Sequence, residues 1–497
     1  MALGYRPLPV LALDALAWRQ SLILGNTVMQ GTALKKITIN GLHHHLDIDL
    51  TFNQGVNVIY GKNGKGKTTV LHIIANILEL DFARFKHLQF DSIKLETYGN
   101  NKLEIKKTKG QLIILFNGRR TGAKSETSPI PRISPDEATI ISKALGGKPV
   151  FLPAYRSILE RVKSGAYDNA SSPEYESIKN NEQKSISVGS KGSYRWHAME
   201  TRAAYVARKT IQCRDWFGEF VPVIRYPGLA EVLETLSQEF IEAQNESSQS
   251  ERRMLSSMFV GVFKSLVSTE KTPNDWEIDP LIERVKNSLN ENDENLSRPD
   301  DIGASLRQEI SQAKAFGKPD ESAAQKRVLK LYADMLERRN EEKMGAFQKI
   351  RTFEKAVNLF LDGKKIKVSE HSNGTPNKWR EFAYIQADSG NCYPLSILSS
   401  GERQILTMLF SATRMSTNDT GIFLIDEPEL SLHVDWQRII LTELKAQAPF
   451  RQIIACTHSP EVGADHDDAV QLFSPTISSQ QKPDSDMDER VFLDDLI

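Results

Sequence analysis

Cysteine is scarce in this sequence: Cys213, Cys392 and Cys456 are the only three in 497 residues, far apart, odd in number and without metal-ligand spacing. That excludes a disulfide framework and suits a reducing, cytoplasmic compartment. An excess of one charge is also missing. Lys+Arg 63 against Asp+Glu 64 leaves a formal net charge of -1, so no global pull toward nucleic acid or anionic membrane follows. Any DNA contact needs a local patch. No stretch approaches the ~20 apolar residues of a membrane span, and no internal repeat is present. The opening MALGYRPLPVLALDALAWRQSLIL has the look of an exported leader, but Asp14 and Arg19 break its apolar run and it lacks a small-residue cleavage pattern. Folded sequence is expected to begin near Lys35, with Met29 an alternative start and residues 1–33 a loosely attached extension.

What is present is concentrated in a few short stretches. The first is GKNGKGKTTVL, starting at Gly61. VNVIY ahead of it reads as a strand, and TTVLHIIANILEL behind it repeats apolar residues at helical spacing. An isolated GxxxxGK[ST] recurs by chance in long chains; strand, loop and helix in that order make it a site. Gly61, Gly64 and Gly66 let the backbone curl so that successive N–H groups face a phosphate, Lys67 reaches the terminal phosphates, and Thr68 ligates Mg2+. Lys62, Asn63, Lys65 and Thr69 complete the expected nucleotide-binding loop. Such a loop establishes binding, not hydrolysis.

The second stretch is IFLIDEPE, an apolar strand that delivers Asp426 and Glu427 side by side at its carboxyl end. Asp426 is expected to hold the Mg2+ shell and Glu427 to orient or deprotonate the attacking water. Two surface acids after a strand could also fall there by chance; beside the Gly61 loop they read as the parts needed to cleave ATP. The third, LSSGERQILTMLF, places Ser399, Ser400 and Gly401 in a turn that runs into a helix from Glu402, a second anion-binding helix N-terminus. One monomer does not need two such sites for one γ-phosphate.

Together, GKNGKGKT at Gly61, LSSGE at Leu398, LIDEPELSLH at Leu424 and CTHSPE at Cys456 resemble the ABC-type ATPases of the SMC, Rad50, RecF and OLD kind. Within that group, LIDEPELSLHVDWQ and FLPAYR are most similar to the ATPase subunits of bacterial antiphage systems, AriA of PARIS and PtuA of Septu and related retrons. The resemblance implies a composite site, in which ATP sits between the Gly61 loop of one subunit and the Ser399, Ser400 and Gly401 turn of another, so that hydrolysis needs at least a homodimer. It also implies that Ser431, Leu432 and His433 form the loop that crosses the interface, and that His458 senses the γ-phosphate. A lone His after a strand is otherwise only a polar terminus. Two departures stand out. No glutamine occupies the expected Q-loop, where FLPAYRS offers Tyr155 and Arg156 instead, and LSSGE and EPELSLH speak against a transporter nucleotide domain.

The expected fold class is therefore α/β: a split ABC-type P-loop ATPase domain with an antiparallel β subdomain and a large, mainly helical insert. The first half covers 34–155, the insert 156–379, the second half 380–474, and a tail 475–497. SIKLETY, KLEIKK and QLIILF read as antiparallel strands, PVFLPAY as a buried one, and GIFLIDEPEL and RQIIACTHSP as parallel strands covered on both faces. In the insert, the stretch from Tyr167 to Ser193 reads as loop from its Ser, Asn, Lys and Glu content. Leu233, Leu236 and Phe240 share one helical face, as do Val328, Tyr332 and Met335, and then Phe347, Ile350, Phe353 and Val357. The mixed Arg and Glu between them read as a solvated helical face rather than a nucleic-acid stripe. His43, His44 and His45 are consecutive and cannot all face one ion from a strand, so a surface loop near the nucleotide is expected, with a base contact as the minor option. The tail ends in RVFLDDLI, which helical spacing would dock either on the chain's own core or on a partner.

No Toprim-like acidic cluster or HNH-like His constellation follows Glu461. The expected function is an ATP-hydrolysing sensor and scaffold that assembles around ATP and Mg2+ and controls a separate nuclease effector of Toprim or HNH type. The alternative is a RecF- or Rad50-like ATPase that clamps DNA, and nucleic acid stays open as a ligand.

Overall fold

The computed structural model describes residues 31–123, 130–156, 173–186, 193–267, 278–290, 323–369, 382–414 and 421–477. Residues 1–30 and the apolar segment 490–497 lie outside them. The chain forms two compact units, Met1–Gly228 with Ser400–Ile497, and Leu229–Ser399. The second unit starts later than the compositional insert 156–379 and ends after it.

In chain order the first unit carries strands β1 (Leu34–Leu42), β2 (Leu46–Thr51) and β3 (Val56–Tyr60), then helix α1 (Lys67–Leu78). Strands β4 (Ser92–Thr97), β5 (Lys102–Thr108), β6 (Gln111–Phe116) and β7 (Arg119–Arg120) follow. Helix α2 (Pro135–Ala144), strand β8 (Val150–Leu152) and helices α3 (Pro173–Ile186) and α4 (Ser193–Phe217) complete its first part. The second unit holds helices α5 (Leu229–Val267), α6 (Ile278–Asn290) and α7 (Ala323–Asn358) and strands β9 (Lys364–Val368), β10 (Ala383–Ala387) and β11 (Cys392–Tyr393). The chain then returns to the first unit with α8 (Ser400–Arg414), β12 (Ile422–Asp426), α9 (Val434–Gln447), β13 (Gln452–Thr457), β14 (Val470–Leu472) and β15 (Thr476–Ile477).

The first unit is built on a five-stranded parallel sheet in the order β14-β3-β13-β12-β8. Every residue of β12 and β13 is buried, which is why both read as unbroken apolar runs rather than alternating ones. Burying each of Ile422, Phe423, Leu424 and Ile425 is worth about 1.5–3 kcal/mol, so the strand that ends on Asp426 is firmly anchored. A second sheet, β15-β2-β1-β4-β5-β6-β7, contains the expected antiparallel run β4, β5 and β6. β2, LDIDLT, alternates and buries only Ile48 and Leu50. Gln452 ties the two sheets together: its amide N donates to Leu34 O at 2.8 Å and Asn53 O at 2.7 Å, and its amide O accepts from Leu34 N at 2.8 Å.

The polar stretch between Tyr167 and Ser193 contains helix α3 rather than loop throughout. Its Tyr175 and Ile178 pack with Val206, Ala207 and Ile211 of α4. Glu182 meets Arg225 at 2.7 Å and Lys148 at 3.4 Å. Burial alone would raise the Glu182 carboxyl, but these two cations pull it down to about 2.

In the second unit, α5 and α7 bury Val232, Leu236, Phe240, Phe347, Ile350, Phe353 and Val357. The expected stripe at Val328, Tyr332 and Met335 is only half-buried; Ala333 and Leu336, with Val285 of α6, form the core there. The charges between them pair with one another, as in Arg284 with Glu337 at 2.6 Å and Arg338 with Glu342 at 3.0 Å. No helix among the described residues is long and apolar enough to cross a membrane.

Candidate active site

β3 ends on Tyr60, and the chain turns through residues 61–66 into α1. Gly64 at φ 74° and Gly66 at φ 92° lie in the left-handed region that a Cβ disfavours, so the loop needs glycine at both. Gly61 is needed for a different reason. A Cβ there would sit 3.1 Å from Phe473 Cβ, and Phe473 is fixed by its N–H donating to Tyr60 O at 2.7 Å. Gly66 caps α1 without a side-chain acceptor, which leaves first-turn N–H groups free to face an anion. Lys62, Asn63, Gly64 and Lys65 are exposed at the tip and Thr69 is half-buried. Lys67 is buried, its Nζ donating to Gly61 O at 2.7 Å and Lys62 O at 3.0 Å.

The loop and the end of β12 meet through one contact between residues 358 positions apart: Thr68 Oγ1 donates to Asp426 Oδ2 at 2.8 Å. Asp426 is buried, and its other oxygen, Oδ1, makes no hydrogen bond among the described residues. Burial pushes this carboxyl up to about 6, with Glu427 adding to the rise and the Thr68 hydroxyl, Arg156 and Lys67 opposing it. A hydroxyl and a buried carboxylate oxygen lacking a partner are hard donors of the kind Mg2+ takes, so Thr68 and Asp426 fit that ion.

Glu427 follows at φ 46°, a left-handed backbone unfavourable for a residue with a Cβ. Its N–H donates to Cys456 O at 2.8 Å, fixing the turn to β13. Its carboxylate Oε1 lies 3.6 Å from Nδ1 of His458, which is 41% exposed.

Two residues at this site are absent from the set expected from sequence. Glu429 is buried, and its Oε1 accepts from Thr457 Oγ1 at 2.5 Å, His458 N at 2.9 Å and Ser459 N at 3.2 Å, with His458 Nδ1 at 3.0 Å. A third acid within DEPE is the local signal for it. Arg156 stands where a glutamine was expected; it is fully buried and binds the backbone of the turn after β12. Beside it, Tyr155 stacks on Phe217 with ring centroids 3.9 Å apart, and burial raises its phenol above the usual range.

At the third stretch, α8 begins at Ser400, two residues before the expected Glu402, which is buried in its first turn and complements the helix dipole. Ser399 is exposed and belongs to the second unit, while Ser400 is exposed and opens the returning segment of the first. A Cβ on Gly401 would lie 2.5 Å from Ser431 O, so only glycine permits this approach to the loop of Ser431, Leu432 and His433. His433 caps α9, with Asp435 N donating to its ring at 3.5 Å. His43 and His44 adopt positive φ in a turn, not a strand.

The family model described as AAA ATPase domain matches residues 33–462. The chain is 39% identical over 75 residues to Retron Ec83 probable ATPase of Escherichia coli, covering 13% of this chain and 14% of that protein. It is 28% identical over 141 residues to Retron Vc95 probable ATPase of Vibrio cholerae serotype O1 biovar El Tor, covering 27% of each. The chain thus matches about a quarter or less of the length of these curated relatives. Among solved structures it is similar to the Smc head domain with an extended coiled coil bound to the C-terminal domain of ScpA from Pyrococcus furiosus, at TM-score 0.38 and 13% identity over 90% of this chain and 96% of that one. A second is the SmcHead bound to the C-winged helix domain of ScpA, at TM-score 0.39 and 10% identity over 90% of this chain and 98% of that one.

Proposed function

The chain belongs to the AAA ATPase domain family, and from that premise we propose that it binds ATP with Mg2+ and hydrolyses it to ADP and phosphate. The observation that carries this reading is the Thr68 to Asp426 hydrogen bond of 2.8 Å, which brings the loop after β3 to the acids after β12. Residues 61–69 cradle the phosphates, with Lys67 opposite their charge. Thr68 and Asp426 hold the Mg2+, which when bound neutralises charge on the phosphates. Glu427 orients the attacking water and takes its proton, and His458 faces the terminal phosphate beside it.

Similarity to two retron probable ATPases supports a defence-associated role. In this reading the chain is a cytoplasmic sensor and scaffold that assembles with its own copies around ATP, each site completed by Ser399, Ser400, Gly401 and Glu402 of a second copy, and controls a separate nuclease subunit of Toprim or HNH type. On α6 and α7, Arg284 pairs with Asp334 and Glu337 and Arg338 pairs with Glu342, which supports an ion-paired helical face there over a nucleic-acid stripe. Glu427→Gln tests both parts. ATP turnover should fall about 100-fold or more while ATP-bound assembly persists, read by steady-state phosphate release and by mass in solution. Turnover at full rate by a monomer would overturn the composite site, and tight, salt-sensitive DNA binding by the isolated protein would favour a DNA-clamping ATPase.

A further inference from the structure

Arg156 ends the short turn after β8 at 0% exposure. A buried guanidinium must find carboxylates or carbonyl dipoles for its donors. Among the described residues every hydrogen bond it makes goes to a backbone carbonyl. Nη1 donates to Pro153 O at 3.2 Å and Asp426 O at 2.9 Å, and Nη2 donates to Glu427 O at 2.9 Å and Pro428 O at 3.1 Å. Three of the four acceptors are consecutive, and the middle one belongs to Glu427. That residue is held in a left-handed backbone, with φ 46°. Cys456 O fixes its N–H from one side at 2.8 Å, and Arg156 fixes its carbonyl from the other. With both peptide groups gripped, the Cα to Cβ direction of Glu427 is set, and its carboxylate leaves the turn toward His458, 3.6 Å away.

We propose that Arg156 is a positioning residue for Glu427: its planar fork holds the strained turn after β12 so that the carboxylate is aimed for the reaction. This rests on the reading of Glu427 as the water-directing acid. The fork is essential because two nitrogens at fixed spacing reach carbonyls of three successive residues, which a single ammonium cannot span. Arg156 touches neither substrate nor metal in this scheme; it acts through the backbone of Glu427.

The test uses the full chain with Arg156→Lys and Arg156→Ala, assayed for steady-state ATP turnover, for binding of a fluorescent ATP analogue, and for folding by circular dichroism. Arg156→Lys should bind the analogue within about threefold of wild type and lose about 100-fold in kcat, since misplacing a reacting group by about 1 Å costs that much. Added methylguanidinium should restore kcat about tenfold in Arg156→Ala and not in Glu427→Gln, which a merely structural role would not produce. Wild-type kcat in Arg156→Lys, or a kcat that falls only with the folded fraction and does not recover with methylguanidinium, overturns the proposal. Should Arg156→Ala fail to fold, the Lys variant decides alone. Absence of turnover in the wild type would instead overturn the reading of the site itself.

Discussion

Glu429 and His458 are joined twice through one carboxylate oxygen: Oε1 of Glu429 accepts the His458 backbone N–H at 2.9 Å and lies 3.0 Å from the ring Nδ1. The backbone and the imidazole of His458 are therefore fixed by the same atom. With Nδ1 turned to Glu429, Nε2 is left on the opposite edge of a ring that is partly open to solvent.

Glu429→Gln keeps an acceptor for the amides but removes the charge, so it should fold normally, bind ATP, and lose about tenfold in turnover. Glu429→Ala strips the acceptor from Thr457, His458 and Ser459 together and should cost about 3 kcal/mol in urea unfolding. A Gln variant as active as wild type would mean that the carboxylate only staples the loop.

Lys67→Ala removes the ammonium that Gly61 O and Lys62 O hold at the loop. ATP affinity should drop about tenfold or more, the opposite pattern to Glu427→Gln, which spares binding. Equilibrium titration of both variants with a fluorescent nucleotide separates them; equal affinities would contradict the division of labour.

Gly401→Ala drives a methyl into Ser431 O, 2.5 Å from the ideal Cβ position. Displacing that backbone should lower stability by about 1–3 kcal/mol and shift the loop of Ser431, Leu432 and His433. A melting curve reads the first effect, and sedimentation with ATP reads weakened self-assembly. Unchanged assembly would separate this loop from the interface.

His72 on α1 is half-buried, edge-on to Phe151 with ring centroids 5.2 Å apart; its Nε2 is buried and makes no hydrogen bond among the described residues, and desolvation lowers its pKa from 6.5 to about 4. As pH falls below 6.5 the unfolded chain takes up this proton first, so stability is lost between about pH 6.5 and 4. The loss totals roughly 3 kcal/mol, and none of it remains to be lost at lower pH. His72→Phe should flatten that part of the stability curve in urea titrations at pH 7, 6, 5 and 4.5; a slope identical to wild type would assign the effect to other groups.

The shape of the loop between β3 and α1 was legible because its requirements are local: Gly64 and Gly66 supply positive φ, and Lys67 and Thr68 follow at fixed spacing. β12 and β13 were legible because burial on both faces leaves unbroken apolar runs. Glu429 was not, since its partners lie 28 to 30 residues on and become neighbours only when β13 pairs with β12. Arg156 drew notice only for not being glutamine; three of its four acceptors are main-chain carbonyls 270 to 272 residues away, which carry no sequence signal. Helix α3 was hidden by polar composition, its stability coming from Tyr175, Ile178 and Glu182 meeting α4 and Arg225. On α7 the expected face holds at Phe347, Ile350, Phe353 and Val357, while near Val328, Tyr332 and Met335 the core shifts to Ala333 and Leu336, which α6 approaches, with Tyr332 packed at its edge.

In the parallel sheet, β3 pairs with β13 and β14, and β8 pairs with β12. During synthesis on the ribosome, then, both early strands wait with bare edges until the last quarter of the protein emerges. A polypeptide released after α7 carries the loop after β3 but neither Asp426 nor the strands that pair with β3, and its unpaired edges favour aggregation or proteolysis.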